Sequence, residues 1–307
     1  MKAIQYKEYG NSAVLEQVDV PVPVIQNGNE ILVQVKAAAV NPIDIKIRMG
    51  FMKTVRPVAM PFIPGGEASG LVTAIGGDVT KFKVGDEVIV LTKTNGYAAY
   101  VKADEDFVLL KPEALSLVEA ASIGVNIGTA QSLLFTAGKL EKGQKLLIQG
   151  GAGAAGAAMV QMAKAAGAYV IATASGKGLE LAKSLGADEV IDYKHQDVST
   201  LFNDVDLVAD TAGGEAQAKL FKVLKPGGTL LSIVVPPSQE LAAQYKVSAG
   251  FVASNISAQT LEKGIELVNA GKFQPVVAKT FKLEDAAEAQ DFLTAGGING
   301  KVILLVD

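Results

Sequence analysis

The sequence predicts an α/β protein in which a doubly wound parallel sheet is joined to a smaller, β-barrel-like domain. Three observations carry that prediction. The strand-length apolar run Leu146-Leu147-Ile148-Gln149 enters a glycine-rich stretch ending at Gly156, and an alanine-rich amphipathic segment leaves it. From about Glu119 onward, candidate strands and helices alternate, which implies parallel βαβ units with right-handed crossovers. The first third instead shows short Val- and Ile-rich runs bounded by Gly, Asn, Asp and Pro, the punctuation of strands and turns.

In that first third, strands are expected over 31–35, 70–75, 87–91 and 97–101. Pro21, Pro23, Pro42, Pro57, Pro61 and Pro64 interrupt any helical pattern there. In the alternating region the expected strands are 146–149, 169–173, 189–192, 207–210, 229–234 and 246–251, with helices between them such as 179–185 and 217–224. Beyond about Ser257 come two amphipathic helices, 260–269 and 284–293, and a last strand, 301–306. Six parallel strands are by then assigned, so this tail is expected to return to the first domain. The division reads 1–120, 121–257 and 258–307.

The 307 residues leave room for two packed cores, and 49% hydrophobic against 20% charged residues is a globular balance. A net charge of −4 without runs of like charge argues against nucleic acid or an anionic membrane surface as partner. Lys2, Lys7, Glu8, Glu16 and Asp19 argue against a secretory signal, and no apolar stretch reaches the ~18 residues of a spanning helix, so a cytoplasmic protein is expected. The sequence has no cysteine, which removes disulfides, thiolate catalysis and thiolate zinc ligation. With one histidine, His195, there is no imidazole cluster either, and a metal-free protein is expected.

Gly151, Gly153 and Gly156 satisfy G-x-G-x-x-G between a strand and a helix, with a second strand following at 169–173. Glycine there permits a tight turn and lets backbone N–H groups approach a pyrophosphate at the positive end of the helix. The alternative is a glycine turn that only packs helix on sheet. An acidic residue about 20 positions on would bind a ribose 2′-hydroxyl. Here the second strand runs out as Thr173-Ala174-Ser175-Gly176-Lys177, with no acid before Glu180. Ser175 can donate a hydrogen bond and Lys177 can supply positive charge, which favours NADP over NAD. A cation in the first turn of a helix is poorly placed unless an anion faces it. Asp210-Thr211-Ala212-Gly213-Gly214 closes the fourth strand of the series, where loops line the ligand crevice, and backbone contacts to a cofactor are expected at Thr211.

With these motifs in place, the whole chain resembles the zinc-free quinone oxidoreductase branch of the medium-chain dehydrogenase/reductase superfamily. The resemblance rests on Val40-Asn41-Pro42-Ile43-Asp44 with Arg48 and Gly50, on Pro64-Gly65-Gly66-Glu67-Ala68-Ser69-Gly70, and on Val84-Gly85-Asp86-Glu87-Val88. The nucleotide turn, Leu185-Gly186-Ala187-Asp188 leading to Asp192-Tyr193, and Gly300-Lys301-Val302-Ile303-Leu304 complete it. It implies a GroES-like β-barrel catalytic domain completed by the C-terminal tail, a Rossmann domain, an NADPH site in the interdomain cleft, and a homodimer formed edge to edge by the Rossmann sheets around 246–251. Zinc-dependent relatives place cysteine where this chain has Asn41 and histidine where it has Gly66, while Glu67 persists.

Carried over residue by residue, the resemblance implies that Asn41 lies near the nicotinamide ribose, Thr129 beside the nicotinamide, and Phe251 at the nicotinamide end. Gly153, Ala154 and Ala155 match the pyrophosphate turn, with Ala154 where relatives often have a second glycine. Ser175, Lys177 and Tyr193 match the surroundings of the adenosine 2′-phosphate. Asn299 stands where relatives often carry arginine, and Lys46 where some have a cleft tyrosine. Asn41, Lys46 and Thr129 are the candidates for the reacting cleft; Glu67 reads as a structural remnant and His195 as a surface residue. The implied activity is NADPH-dependent reduction of quinones or α,β-unsaturated carbonyls by hydride transfer without metal. The alternative is an NADPH-binding redox sensor or structural protein with little catalysis, which would bind NADPH without oxidising it.

Overall fold

The β-branched runs of the first third fold as β1 (Lys2–Gln5), β2 (Glu16–Asp19), β3 (Glu30–Val40), β4 (Glu67–Ile75), β5 (Glu87–Leu91), β6 (Tyr100–Asp104) and β7 (Val108–Leu110). Two short helices accompany them, α1 (Pro42–Arg48) and α2 (Leu117–Ala120). The computed structural model describes residues 1–92 and 94–307. Along β3 the alternating Ile31, Val33 and Val35 point into one core, and Ala38 and Val40 continue that face. Ala37 and Ala39 face the other way, and their small side chains let Ala121 and the segment after α2 pack closely. The expected strand 97–101 starts later than predicted. Tyr97 donates its N–H to Pro64 O and is fully buried, so pairing in that segment begins only as an isolated bridge at Ala98.

The alternating region supplies β8 (Lys145–Gln149), β9 (Tyr169–Ala174), β10 (Glu189–Asp192), β11 (Val205–Asp210), β12 (Leu224–Ser232) and β13 (Ser248–Phe251). They form one parallel sheet in the order β10-β9-β8-β11-β12-β13. The strand order reverses between β8 and β11, and a doubly wound fold binds its ligand outside the carboxyl ends of the strands at that switch point. Gln149 and Asp210 are register partners there. Between the strands lie α4 (Ala154–Ala165), α5 (Lys177–Ser184), α6 (Ala216–Lys219) and α7 (Gln239–Tyr245), with α3 (Gly124–Ala130) before the first and α8 (Ala258–Asn269) after the last.

Further boundaries differ from the sequence-based expectation for physical reasons. The helix expected over 217–224 is α only to Lys219; a 3-10 turn buries Leu220, Phe221 and Val223, and Leu224 pairs with Val205 as the first residue of β12. The strand expected from 246 begins at Ser248, because Lys246 adopts a left-handed conformation that caps α7. The chain divides into Met1–Gly124 with Val277–Asp307, and Val125–Val276. Thus α8 belongs with the parallel sheet rather than with the returning tail, and the return begins at Val277 instead of 258. Leu261 is fully buried, and a Cβ on Gly264 would lie 2.2 Å from Ile127 Cγ2, so α8 is locked to α3 by close packing.

The tail contributes β14 (Val277–Lys282), α9 (Ala286–Ala295) and β15 (Lys301–Leu305). β15 pairs antiparallel with β3, completing a sheet of order β14-β15-β3-β4-β5-β7 with β6 also on β3. The carboxyl end of β3 therefore lies beside the start of β15 on one side and the start of β4 on the other. Residues far apart in sequence meet at those three strand ends.

Candidate cofactor and active site

The glycine turn is built from four glycines doing different things. Gly150 has φ +83 and Gly151 donates its N–H to Thr173 O at 2.9 Å, which bends the chain sharply off β8. A Cβ on Gly156 would lie 2.1 Å from Gly150 O, and one on Gly151 would lie 2.6 Å from Ala172 Cβ, so both glycines are required by packing. A Cβ on Gly153 would meet only Gly150 O, at 3.4 Å, and the space in front of that residue is open. Gly153 is the N-cap of α4 and offers no side-chain cap. The first-turn N–H groups of Ala154 and Ala155 have no acceptor within the helix and point along the positive end of its dipole. An open, uncapped, glycine-fronted helix start fits a pyrophosphate.

The residues expected at the adenosine end lie one strand over. Parallel pairing sets Ala174 opposite Asp192, and this register brings Ser175 Oγ to 3.0 Å from Tyr193 Oη, although 18 residues separate them. Gly176 turns the chain with φ +54, and Lys177 opens α5 as an exposed first-turn cation. Ser175, Lys177 and Tyr193 thus sit at the ends of adjacent strands. His195 is an exposed partner of Asp192 at 2.8 Å.

The loop after β11 is held by a carboxylate that sequence reasoning left unassigned. Asp210 is fully buried; its Oδ1 accepts from the N–H groups of Ala212 (3.0 Å) and Gly213 (2.7 Å). Its Oδ2 accepts from Gln217 Nε2 and Ser232 Oγ, both at 2.8 Å. Four donors on one carboxylate fix the course of 211–214, and Thr211 Oγ1 donates to Gln149 O at 2.7 Å. The signal was an acidic residue ending an otherwise apolar central strand. Thr129 is buried near the end of α3, just before a π-helical turn, and accepts from Ser254 Oγ at 3.1 Å. Phe251 closes β13 and is half exposed.

A second polar cluster forms at the strand ends of β3, β4 and β15. Asn41, Glu67 and Lys301 are all buried. Lys301 Nζ donates to Asn41 Oδ1 at 2.6 Å and lies 3.3 Å from Glu67 Oε2. Behind Asn41, Asp44 Oδ2 accepts from Asn41 N–H (3.0 Å) and from Tyr97 Oη (3.1 Å). Burial pushes the Asp44 carboxyl up to about 6, against the opposing pull of those two hydrogen bonds and the Lys301 charge. Arg48, also buried, donates to Gln290 Oε1 and Gly10 O, each at 2.7 Å, and ties α1 to α9 and the N-terminal segment. Lys46 is partly exposed on α1 between the buried Ile45 and Ile47.

The sequence named Asn41 and treated Glu67 as a remnant, but it gave Lys301 no task. A charged residue opening the buried strand Val302-Ile303-Leu304 was the available signal, since buried lysines require a partner. Among the described residues no group of three or more histidine, aspartate or glutamate side chains could hold a metal ion. Where the resemblance sets the thiolate and imidazole ligands of zinc-dependent relatives, this chain holds the Asn41 amide and Gly66, and the adjacent Glu67 is paired with an ammonium.

Comparison with known proteins agrees with this geometry. Residues 27–142 match the alcohol dehydrogenase GroES-like domain family, and residues 185–304 match a family described as zinc-binding dehydrogenase. A quinone oxidoreductase of Mus musculus is 32% identical, covering 100% of this chain and 98% of its own. A chloroplastic NADPH-dependent alkenal/one oxidoreductase of Arabidopsis thaliana is 33% identical, covering 99% of this chain and 79% of its own. Among solved structures, the quinone oxidoreductase from Coxiella burnetii superposes with a TM-score of 0.89 at 32% identity, covering 100% of this chain and 99% of that one.

Proposed function

The chain belongs to the zinc-free quinone-oxidoreductase branch of the medium-chain dehydrogenase/reductase superfamily, and from that premise we propose that it reduces quinones or α,β-unsaturated carbonyl compounds with NADPH, without a metal ion. One observation carries the reading: the strand ends that would present metal ligands hold Asn41, Gly66 and a Glu67 engaged by the Lys301 ammonium. When bound, NADPH supplies the hydride, and the chemistry is the cofactor's. The residues of this chain bind and orient. The N–H groups at Gly153, Ala154 and Ala155 hold the pyrophosphate, and the loop at Thr211, braced by Asp210, shapes the crevice beside it.

Ser175, Lys177 and Tyr193 receive the 2′-phosphate. Asn41 meets the nicotinamide ribose, and Thr129 and Phe251 border the nicotinamide. The oxygen of a hydroquinone or enolate product takes its proton from water, so no side chain is needed as acid. That suits a chain with no cysteine and one exposed histidine. The assembly this reading favours is a homodimer joined along β13, supported by the position of that strand at the edge of the parallel sheet.

Steady-state assays with NADPH across panels of quinones, enones and enals test the activity and rank the acceptors. Turnover of at least one panel is expected. NADPH binding with no turnover of any acceptor would instead identify a binding or sensing protein.

A further inference from the structure

Asn41 occupies the N-cap of α1, where an asparagine side chain ordinarily accepts from a first-turn N–H. Here it does not. The N–H of Asp44 goes to the backbone O of Asn41 at 3.0 Å, and the Asn41 side chain turns to Lys301 instead. An ammonium has three donors and no acceptor, so Asn41 must present Oδ1 to it. The amide nitrogen then faces the other way, where among the described residues it makes only a long 3.5 Å hydrogen bond to Ala39 O. The second amide N–H makes no hydrogen bond among the described residues. Glu67, at 3.3 Å from Lys301 Nζ and fully buried, places a counter-charge beside the ammonium.

We propose that Lys301 is a positioning residue for the cofactor: its ammonium, held by Glu67, locks the Asn41 amide so that an N–H is presented to a ribose hydroxyl. The inference rests on the reading that Asn41 meets the nicotinamide ribose. In this arrangement the ammonium does the orienting that a metal's ligand shell does elsewhere, without acting on the substrate. Replacing the ammonium frees the amide to rotate or to return to capping α1, and either movement costs the ribose contact.

Lys301→Met alone removes the ammonium from beside a buried carboxylate and can fail to fold, so the test uses the charge-neutral pair Glu67→Gln/Lys301→Met in the full chain. The probes are NADPH and 2′,5′-ADP, which has the adenosine end but no nicotinamide ribose. The pair should keep the parent's melting temperature within a few degrees and its affinity for 2′,5′-ADP. NADPH should bind roughly five- to tenfold more weakly, the scale of one lost hydrogen bond. Asn41→Ala alone should weaken NADPH by the same factor, and adding it to the pair should cost nothing more.

Equal weakening of both ligands would reduce Lys301 to a general structural role. Parental NADPH affinity in the pair, with weakening by Asn41→Ala, would overturn the role of Lys301 and leave that of Asn41 standing. Parental affinity in Asn41→Ala would overturn both.

Discussion

Asp44 is a buried carboxyl whose ionisation works against the fold. Its folded-state value is about 6 against an ordinary value of 3.8, with burial as the largest cause. Between those values the folded chain holds a proton that the unfolded chain has released, so stability contributed by this group falls as pH rises through the window. A shift of this size corresponds to about 2–3 kcal/mol at most. Asp44→Asn keeps an oxygen acceptor for Asn41 N–H and Tyr97 Oη but cannot ionise. Denaturant midpoints measured from pH 4 to pH 7 should therefore move in the variant's favour up to about pH 6 and then run parallel. A constant difference across the range would contradict the assignment.

Lys177 makes a second prediction at this scale. Lys177→Ala should raise the dissociation constant of NADPH roughly tenfold or more and leave NADH nearly unchanged, because a charge-assisted contact to phosphate is worth about 1.5–3 kcal/mol. Equal weakening of both cofactors in a fluorescence titration would refute the 2′-phosphate role.

At the scale of elements, the glycine turn separates fold from function. Gly153 has φ −69 and ψ 167, a conformation open to alanine, and its Cβ would meet only Gly150 O at 3.4 Å. Gly153→Ala should fold with a melting temperature near the parent's and bind NADPH more weakly, because the methyl group stands in the open space before α4. Gly156→Ala sets a Cβ 2.1 Å from Gly150 O and should destabilise by about 1–3 kcal/mol or more. Thermal melts and NADPH titrations on the two variants check both halves; loss of stability in Gly153→Ala would contradict the distinction.

This turn was legible in sequence because its signals are local: an apolar strand, three glycines and an alanine-rich helix within one short segment. The same locality made Ser175 and Lys177 readable as candidates. The cluster at Asn41, Glu67 and Lys301 was not legible in the same way, since Lys301 and Asn41 are 260 positions apart and meet only through the β15–β3 register. The bracing role of Asp210 was not legible for a related reason, because its partners Gln217 and Ser232 come from the next helix and the next strand.

For the whole molecule, alternation of strand and helix predicted the parallel sheet, and counting its strands correctly sent the last part of the tail back to the first unit. Counting could not place α8, whose membership is decided by packing against Ile127. A homodimer joined along β13 should sediment at twice the 31.8 kDa chain mass; a monomer at micromolar concentration would contradict that assembly.

The central claim is metal-free reduction by NADPH, and the most direct measurement is oxidation of NADPH at 340 nm by a quinone or enone acceptor, using protein exhaustively treated with chelator and checked by elemental analysis. The account predicts turnover at the rate of untreated protein with no stoichiometric metal present. Activity lost on chelation and restored by zinc would contradict it.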